Sequence, residues 1–243
     1  MKKIDAHAHI GNFSGWADGV GGQPEQLIAL MDEYEVEQTV LCSRDHTGND
    51  DIVKARDNYP GRFLPLVYLN PLEGETECRR KVETYVDDLG FLGFKLNPLR
   101  YAFLADDPIM DPIMEMARQR SLPVFIHSGH PPFSLPWSIA LLAERFPDVK
   151  TVMIHMGHGH GVYVDAALKM AMRYPNLYLE MSGMPMGVKI RQAYQDVGHD
   201  RIMFGTDYPF HHPSVEIQKV LTCGLDDQAM EDIFYNNVRN LFA

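Results

Sequence analysis

The chain opens with Ile4-Asp5-Ala6-His7-Ala8-His9-Ile10, two imidazoles two residues apart. On a β-strand, residues i and i+2 point to the same face. Alternation therefore predicts Asp5, His7 and His9 along one side of a first strand, with Ile4, Ala6 and Ala8 packed outward. Two neutral imidazoles on one face gain little from each other, but together they can hold a metal ion. The pattern recurs further along: His127 closes Val124-Phe-Ile, His155 closes Val152-Met-Ile, and Asp207 follows Gly205-Thr. Imidazole nitrogens plus one carboxylate oxygen suit Zn²⁺ first, with Mn²⁺, Fe²⁺ or Co²⁺ also compatible. Such an ion lowers the pKa of bound water towards ~7 and supplies hydroxide at neutral pH.

Residues so far apart in sequence need a scaffold that brings strand ends together. Short apolar runs alternate with longer amphipathic stretches, the signature of parallel βα units. Strands are predicted near 3–9, 37–42, 63–69, 91–96, 123–127, 150–155, 177–181 and 201–206. Helices are predicted over Pro24–Tyr34, Ile52–Asn58, Glu75–Asp88, Pro108–Arg120, Pro136–Phe146, Tyr163–Tyr174, Val188–Val197 and Ser214–Leu221. Three helices should stop just before a proline, at Asn58-Tyr59-Pro60, Arg145-Phe146-Pro147 and Arg173-Tyr174-Pro175, because proline disfavours helix at the preceding residue. Eight βα pairs in 243 residues fit an α/β fold of the (β/α)₈ TIM-barrel type, one domain spanning 1–243. A doubly wound sheet would call for a G-x-G-x-x-G loop after the first strand, and His9-Ile10-Gly11-Asn12 is not one. In a barrel, the C-terminal strand ends converge on one mouth, where His7, His9, Lys95, His127, His155 and Asp207 would meet. The glycine-rich stretch Gly11–Gly22, with Trp16 inside it, reads as a lid over that mouth or an irregular surface loop.

Composition narrows the function classes. The net charge of −11 without a Lys/Arg cluster argues against nucleic acid or an anionic membrane as partner. No apolar run is long enough to span a bilayer. Three widely spaced cysteines, Cys42, Cys78 and Cys223, predict neither a disulfide framework nor a zinc knuckle, and a cytoplasmic, reducing setting. The expected partner is a small-molecule substrate, with self-association into a homo-oligomer left open.

These motifs together resemble the amidohydrolase superfamily, in its amidohydrolase-related branch. That branch includes hydrolases, lactonases and decarboxylases akin to aminocarboxymuconate-semialdehyde decarboxylase. The resemblance runs through Asp5-Ala-His-Ala-His9, Gly93-Phe-Lys-Leu-Asn-Pro98, Val124-Phe-Ile-His127-Ser-Gly129, Ile154-His155-Met-Gly157-His158-Gly159, Gly205-Thr-Asp207-Tyr-Pro209 and Asn236-Asn-Val-Arg-Asn-Leu-Phe242. It implies that His7, His9, His127 and Asp207 bind the metal and that His155 is an acid/base or polarising residue beside it. Lys95 would bind a substrate carboxylate; in binuclear members a strand-four lysine is instead carboxylated and bridges a second metal. Arg44, Arg100, His158 and Tyr208 are further candidates for contact with substrate.

Three activities fit these residues. The leading expectation is a metal-dependent hydrolase in which metal-bound hydroxide attacks an amide, ester or lactone carbonyl, with Asp207 moving the proton and His155 polarising the carbonyl. The alternative is a non-oxidative, metal-dependent decarboxylase on the same scaffold. The third is a metal-binding barrel without catalysis.

Overall fold

The computed structural model describes residues 1–13 and 21–243, so Trp16 and the middle of the glycine-rich stretch lie outside the described residues. Among the described residues, nine strands build the barrel: β1 (Lys3–Ile10), β2 (Val36–Ser43), β3 (Phe63–Pro65), β4 (Val67–Tyr68), β5 (Phe94–Leu96), β6 (Val124–His127), β7 (Thr151–Ile154), β8 (Leu177–Glu180) and β9 (Ile202–Met203). All the strand pairs are parallel. β3 and β4 form a single stave, predicted as one strand over 63–69. Its first half pairs with β2 and its second with β5, either side of Pro65, which has no N–H to donate. Eight staves result.

The ring closes between its last stave and its first. Ala6 N donates to Phe204 O (2.9 Å), Asp207 N to His7 O (2.7 Å) and His9 N to Tyr208 O (2.7 Å), and Ala8 pairs in parallel with Tyr208. Closure leaves no sheet edge and sets the ends of β1 and β9 side by side. The two strand faces separate into two apolar layers. Ile4, Ala6, Val40, Cys42, Tyr68, Phe125, Val152, Ile154 and Met203 fill the interior; Leu41, Phe94, Ile126, Met153 and Leu179 face the helices.

The main helices alternate with the strands: α1 (Pro24–Glu33), α2 (Asn49–Asn58), α3 (Glu75–Val82), α4 (Pro98–Tyr101), α5 (Asp111–Arg120), α6 (Pro136–Arg145), α7 (Gly161–Arg173), α8 (Gly187–Asp196), α9 (Pro213–Leu221), α10 (Asp227–Glu231) and α11 (Asn237–Leu241). Before Pro60, Pro147 and Pro175, α2 ends at Asn58 as predicted, and α6 and α7 end at Arg145 and Arg173, one residue short of the predicted Phe146 and Tyr174. α2 starts three residues earlier than expected, because the buried Asn49 side chain is held by both main-chain groups of Tyr68. The sequence reading missed α4, α10 and α11. Val238 and Leu241 of α11 join the barrel interior, and Phe242 stacks on Phe125 with ring centres 6.1 Å apart, so this helix plugs the end opposite the histidines. Among the described residues, no helix is long and apolar enough to cross a membrane.

One expectation about β1 fails. Between Asp5↔Thr39 and Ala8↔Leu41 the strand advances three residues against two on β2, a β-bulge. Ile4 and Ala6 therefore sit in the interior layer, whereas Ala8 and Ile10 join the outer one. The extra residue flips the strand so that His7 and His9 face the mouth. Asp5 fastens the bulge: its carboxylate accepts from His7 N (3.0 Å), Thr206 N (2.9 Å) and Thr206 Oγ1 (2.5 Å). Burial pushes its carboxyl up to about 7 against those hydrogen bonds. Asp5→Ala orphans these donors at about 1–3 kcal/mol each. Its midpoint in thermal unfolding should fall by several degrees, and an unchanged midpoint would show that Asp5 does not secure the barrel seam.

Candidate metal centre

Strand ends and the bulge bring His7, His9, Lys95, His155 and Asp207 into one buried cluster. Asp207, four residues past the end of β9, takes a left-handed backbone conformation (φ 53°), and its carboxylate lies against the β1 histidines. Asp207 Oδ1 lies 3.5 Å from both His7 Nδ1 and His9 Nε2, and Oδ2 lies 3.9 Å from His155 Nε2. Among the described residues, the donor atoms of His7, His155 and Asp207 all lie within 4.8 Å of one another.

The imidazoles are fixed from behind. His9 Nδ1 stands 3.0 Å from the Ser43 carbonyl, and His155 Nδ1 stands 2.8 Å from the Ser182 carbonyl. A carbonyl only accepts, so each Nδ1 carries a proton and each Nε2 is the nitrogen turned to the cluster. Burial drives His7, His127 and His155 well below the usual histidine range, which keeps them neutral and able to ligate. His9 behaves differently. Burial opposes its charge, but the Cys42 sulfur and the Asp207 carboxylate outweigh burial and push it up to about 10. At His9 the surroundings thus favour positive charge, and a cation bound there would take that proton's place. The donor set fits a divalent metal.

His127 stands one imidazole further out. Its ring lies 4.8 Å from that of His155, and its Nε2 makes a 2.9 Å hydrogen bond with His130 Nδ1. His158 packs its ring against both His130 (4.5 Å) and His155 (5.3 Å). Lys95 is fully buried, and its Nζ is 3.0 Å from His7 Nε2. Burial lowers the lysine's pKa, opposed by Cys42, Asp207 and Glu180.

The remaining candidates lie away from this cluster. Arg100 pairs with Asp45 at 3.0 Å, and Arg44 donates to the Asn12 carbonyl and covers the Phe13 ring. Tyr208, one residue past the inward Asp207, packs into the layer between strands and helices. Sequence reading missed Glu180. This fully buried carboxylate accepts from Ser182 N, Ser182 Oγ and His155 N, and burial pushes it up to about 8. It thereby holds the turns that carry His155 and Ser182. A signal existed: in Leu177-Tyr-Leu-Glu180 the acid falls on the face opposite the outward Leu177 and Leu179.

Comparison with known proteins adds a chemical class to this geometry. A family model described as amidohydrolase matches residues 4–243. A gamma-resorcylate decarboxylase from Polaromonas sp. is 23% identical, with the match covering 90% of this chain and 86% of that protein. A dihydroxybenzoic acid decarboxylase from Polaromonas sp., solved with bound manganese and the inhibitor 2-nitroresorcinol, superposes with a TM-score of 0.78 at 20% identity, covering 99% of this chain and 96% of that one. A TIM-barrel protein from Bordetella bronchiseptica superposes with a TM-score of 0.83 at 22% identity, covering 99% and 98%. The fold is therefore the TIM barrel that the sequence predicted. The decarboxylase relatives overturn the leading expectation of a hydrolase acting on an amide, ester or lactone. Hydrolysis and decarboxylation use the same ligand types at the same strand ends, so the motifs alone did not separate them.

Proposed function

Because the chain belongs to the amidohydrolase family, we propose that it is a metal-dependent, non-oxidative decarboxylase of a small, hydroxyl-bearing carboxylic acid. The observation that carries this reading is the match over 90% of the chain to a gamma-resorcylate decarboxylase. The proposed ligands are His7, His9, His127 and Asp207, with His155 beside them as an acid/base residue; the neutral imidazoles of His7 and His127, and the Ser43 carbonyl that orients His9, support that assignment. Manganese in a structural neighbour supports a divalent cation of that kind. When bound, the cation would orient the substrate's oxygens and withdraw electron density from them.

The chain's own residues account for the rest of the reaction. The substrate carboxylate leaves as CO₂, and the carbon that held it takes up one proton. Asp207, within reach of both His9 and His155, is the group to deliver that proton. His155 Nε2 presents a lone pair to Asp207 Oδ2 and positions the acid for each turnover. Lys95, beside His7, offers an ammonium to the substrate's anionic group. Metal-loaded protein should release CO₂ and the matching phenol from a hydroxybenzoate panel without consuming water. No CO₂ from any member of the panel, with metal in place, would sink the reading.

Lys95 has its own test. As a substrate-binding residue it must stay charged, and the Lys95→Met variant should keep about one metal per chain. Removing the ammonium frees His7 Nε2, so metal affinity should not fall. KM for the carboxylate should rise by at least about tenfold, the cost of roughly 1.4 kcal/mol of lost attraction. Added bicarbonate should do nothing. Two metals per wild-type chain, lost on substitution and restored by short carboxylic acids, would instead make Lys95 a carboxylated bridge.

A further inference from the structure

Cys42 lies near the end of β2, fully buried, and the proposed reaction does not use it. Its Sγ is 3.2 Å from His9 Nδ1 and 3.6 Å from the Ala8 carbonyl oxygen. With His7 and His9 it makes a second group whose donor atoms all lie within 4.8 Å, as compact as His7, His155 and Asp207. The two groups share His7; each adds a second imidazole, and they differ in donor type at the third position, sulfur against carboxylate oxygen. Carboxylate suits manganese, whereas thiolate selects softer, thiophilic cations. We propose that His7, His9 and Cys42 form a second metal site, selective for thiophilic cations such as Cd²⁺, that competes with the cation held through Asp207.

Competition follows from the shared imidazoles. His7 belongs to both groups and His9 to the proposed ligands as well, and a neutral imidazole has one nitrogen lone pair to give. The His7 lone pair faces Lys95 Nζ, so a cation arriving there displaces the lysine from its 3.0 Å contact. Sulfur binds as the thiolate, so the Cys42 proton passes to solvent as the S–metal bond forms. His9 Nδ1, the nitrogen beside the sulfur, gives up its Ser43 hydrogen bond as its proton moves to Nε2, 3.5 Å from Asp207 Oδ1. The other cysteines are placed differently. Cys78 Sγ donates to the Asn70 carbonyl and Cys223 Sγ to the Val220 carbonyl, and among the described residues neither belongs to a donor group.

The experiment titrates cadmium chloride into the metal-free and manganese-loaded chain, following sulfur-to-cadmium charge-transfer absorption in the ultraviolet and both metals by elemental analysis. The band should saturate at one cadmium per chain, with one manganese lost for each cadmium bound. Cys42→Ser should abolish the band. The Cys78→Ser, Cys223→Ser double variant, whose only thiol is Cys42, should keep it, so the proposal stays testable even if Cys42→Ser does not fold. Absence of the band in the wild type or in the double variant, or its persistence in Cys42→Ser, overturns the site. A full band with all manganese retained overturns the competition. The sulfur band needs no turnover, so its failure and a failure of the decarboxylase reading are separate results.

Discussion

A chain carrying His7→Ala together with His9→Ala should fold, hold little metal and release no measurable CO₂. These two imidazoles supply half of the proposed ligand set, and His9 Nε2 is already oriented by the Ser43 carbonyl behind it. Loss of an outer partner typically costs about 10–100-fold in metal affinity. Loss of two direct donors should cost far more, because Asp207 and one imidazole cannot satisfy a divalent ion alone. Elemental analysis after gel filtration checks occupancy, and circular dichroism checks the fold. The metal-dependent gain in thermal stability should vanish in parallel; a ligand at 100 times its Kd contributes about 2.7 kcal/mol. Full occupancy in the folded double variant would place the metal elsewhere.

His155→Asn should behave in the opposite way, keeping the metal while turnover falls by about 10²–10⁴-fold, the range for a lost acid/base residue. The amide can still meet the Ser182 carbonyl but has no lone pair of comparable basicity to present to Asp207 Oδ2. KM should change little, since the expected loss lies in the chemical step. The structure makes this substitution decisive, because His155 sits closer to His7 and Asp207 than His127 does. Should metal leave with the side chain, His155 is a ligand and His127, hydrogen-bonded to His130, is not.

The sequence by itself determined the barrel and the kinds of donor at its mouth. Hydrophobic period and proline placement are local rules, and they located the ends of α2, α6 and α7 to within one residue. The donor types were legible for the same reason, since His127 and Asp207 stand at the ends of apolar runs whatever lies beside them. Only the tertiary structure decided which way β1 faces. Alternation assumes an unbroken ladder, and the bulge between Asp5 and Ala8 exists only because β2 sets the register. It likewise decided that Glu180 holds the His155 turn and that Cys42 lies against His9, contacts between strands that no spacing along the chain encodes. The choice between lyase and hydrolase had no residue of its own, because a metal, its imidazoles and one carboxylate serve both reactions. What separates those reactions is the substrate's placement in the mouth, which depends on side chains that meet only once the barrel has closed.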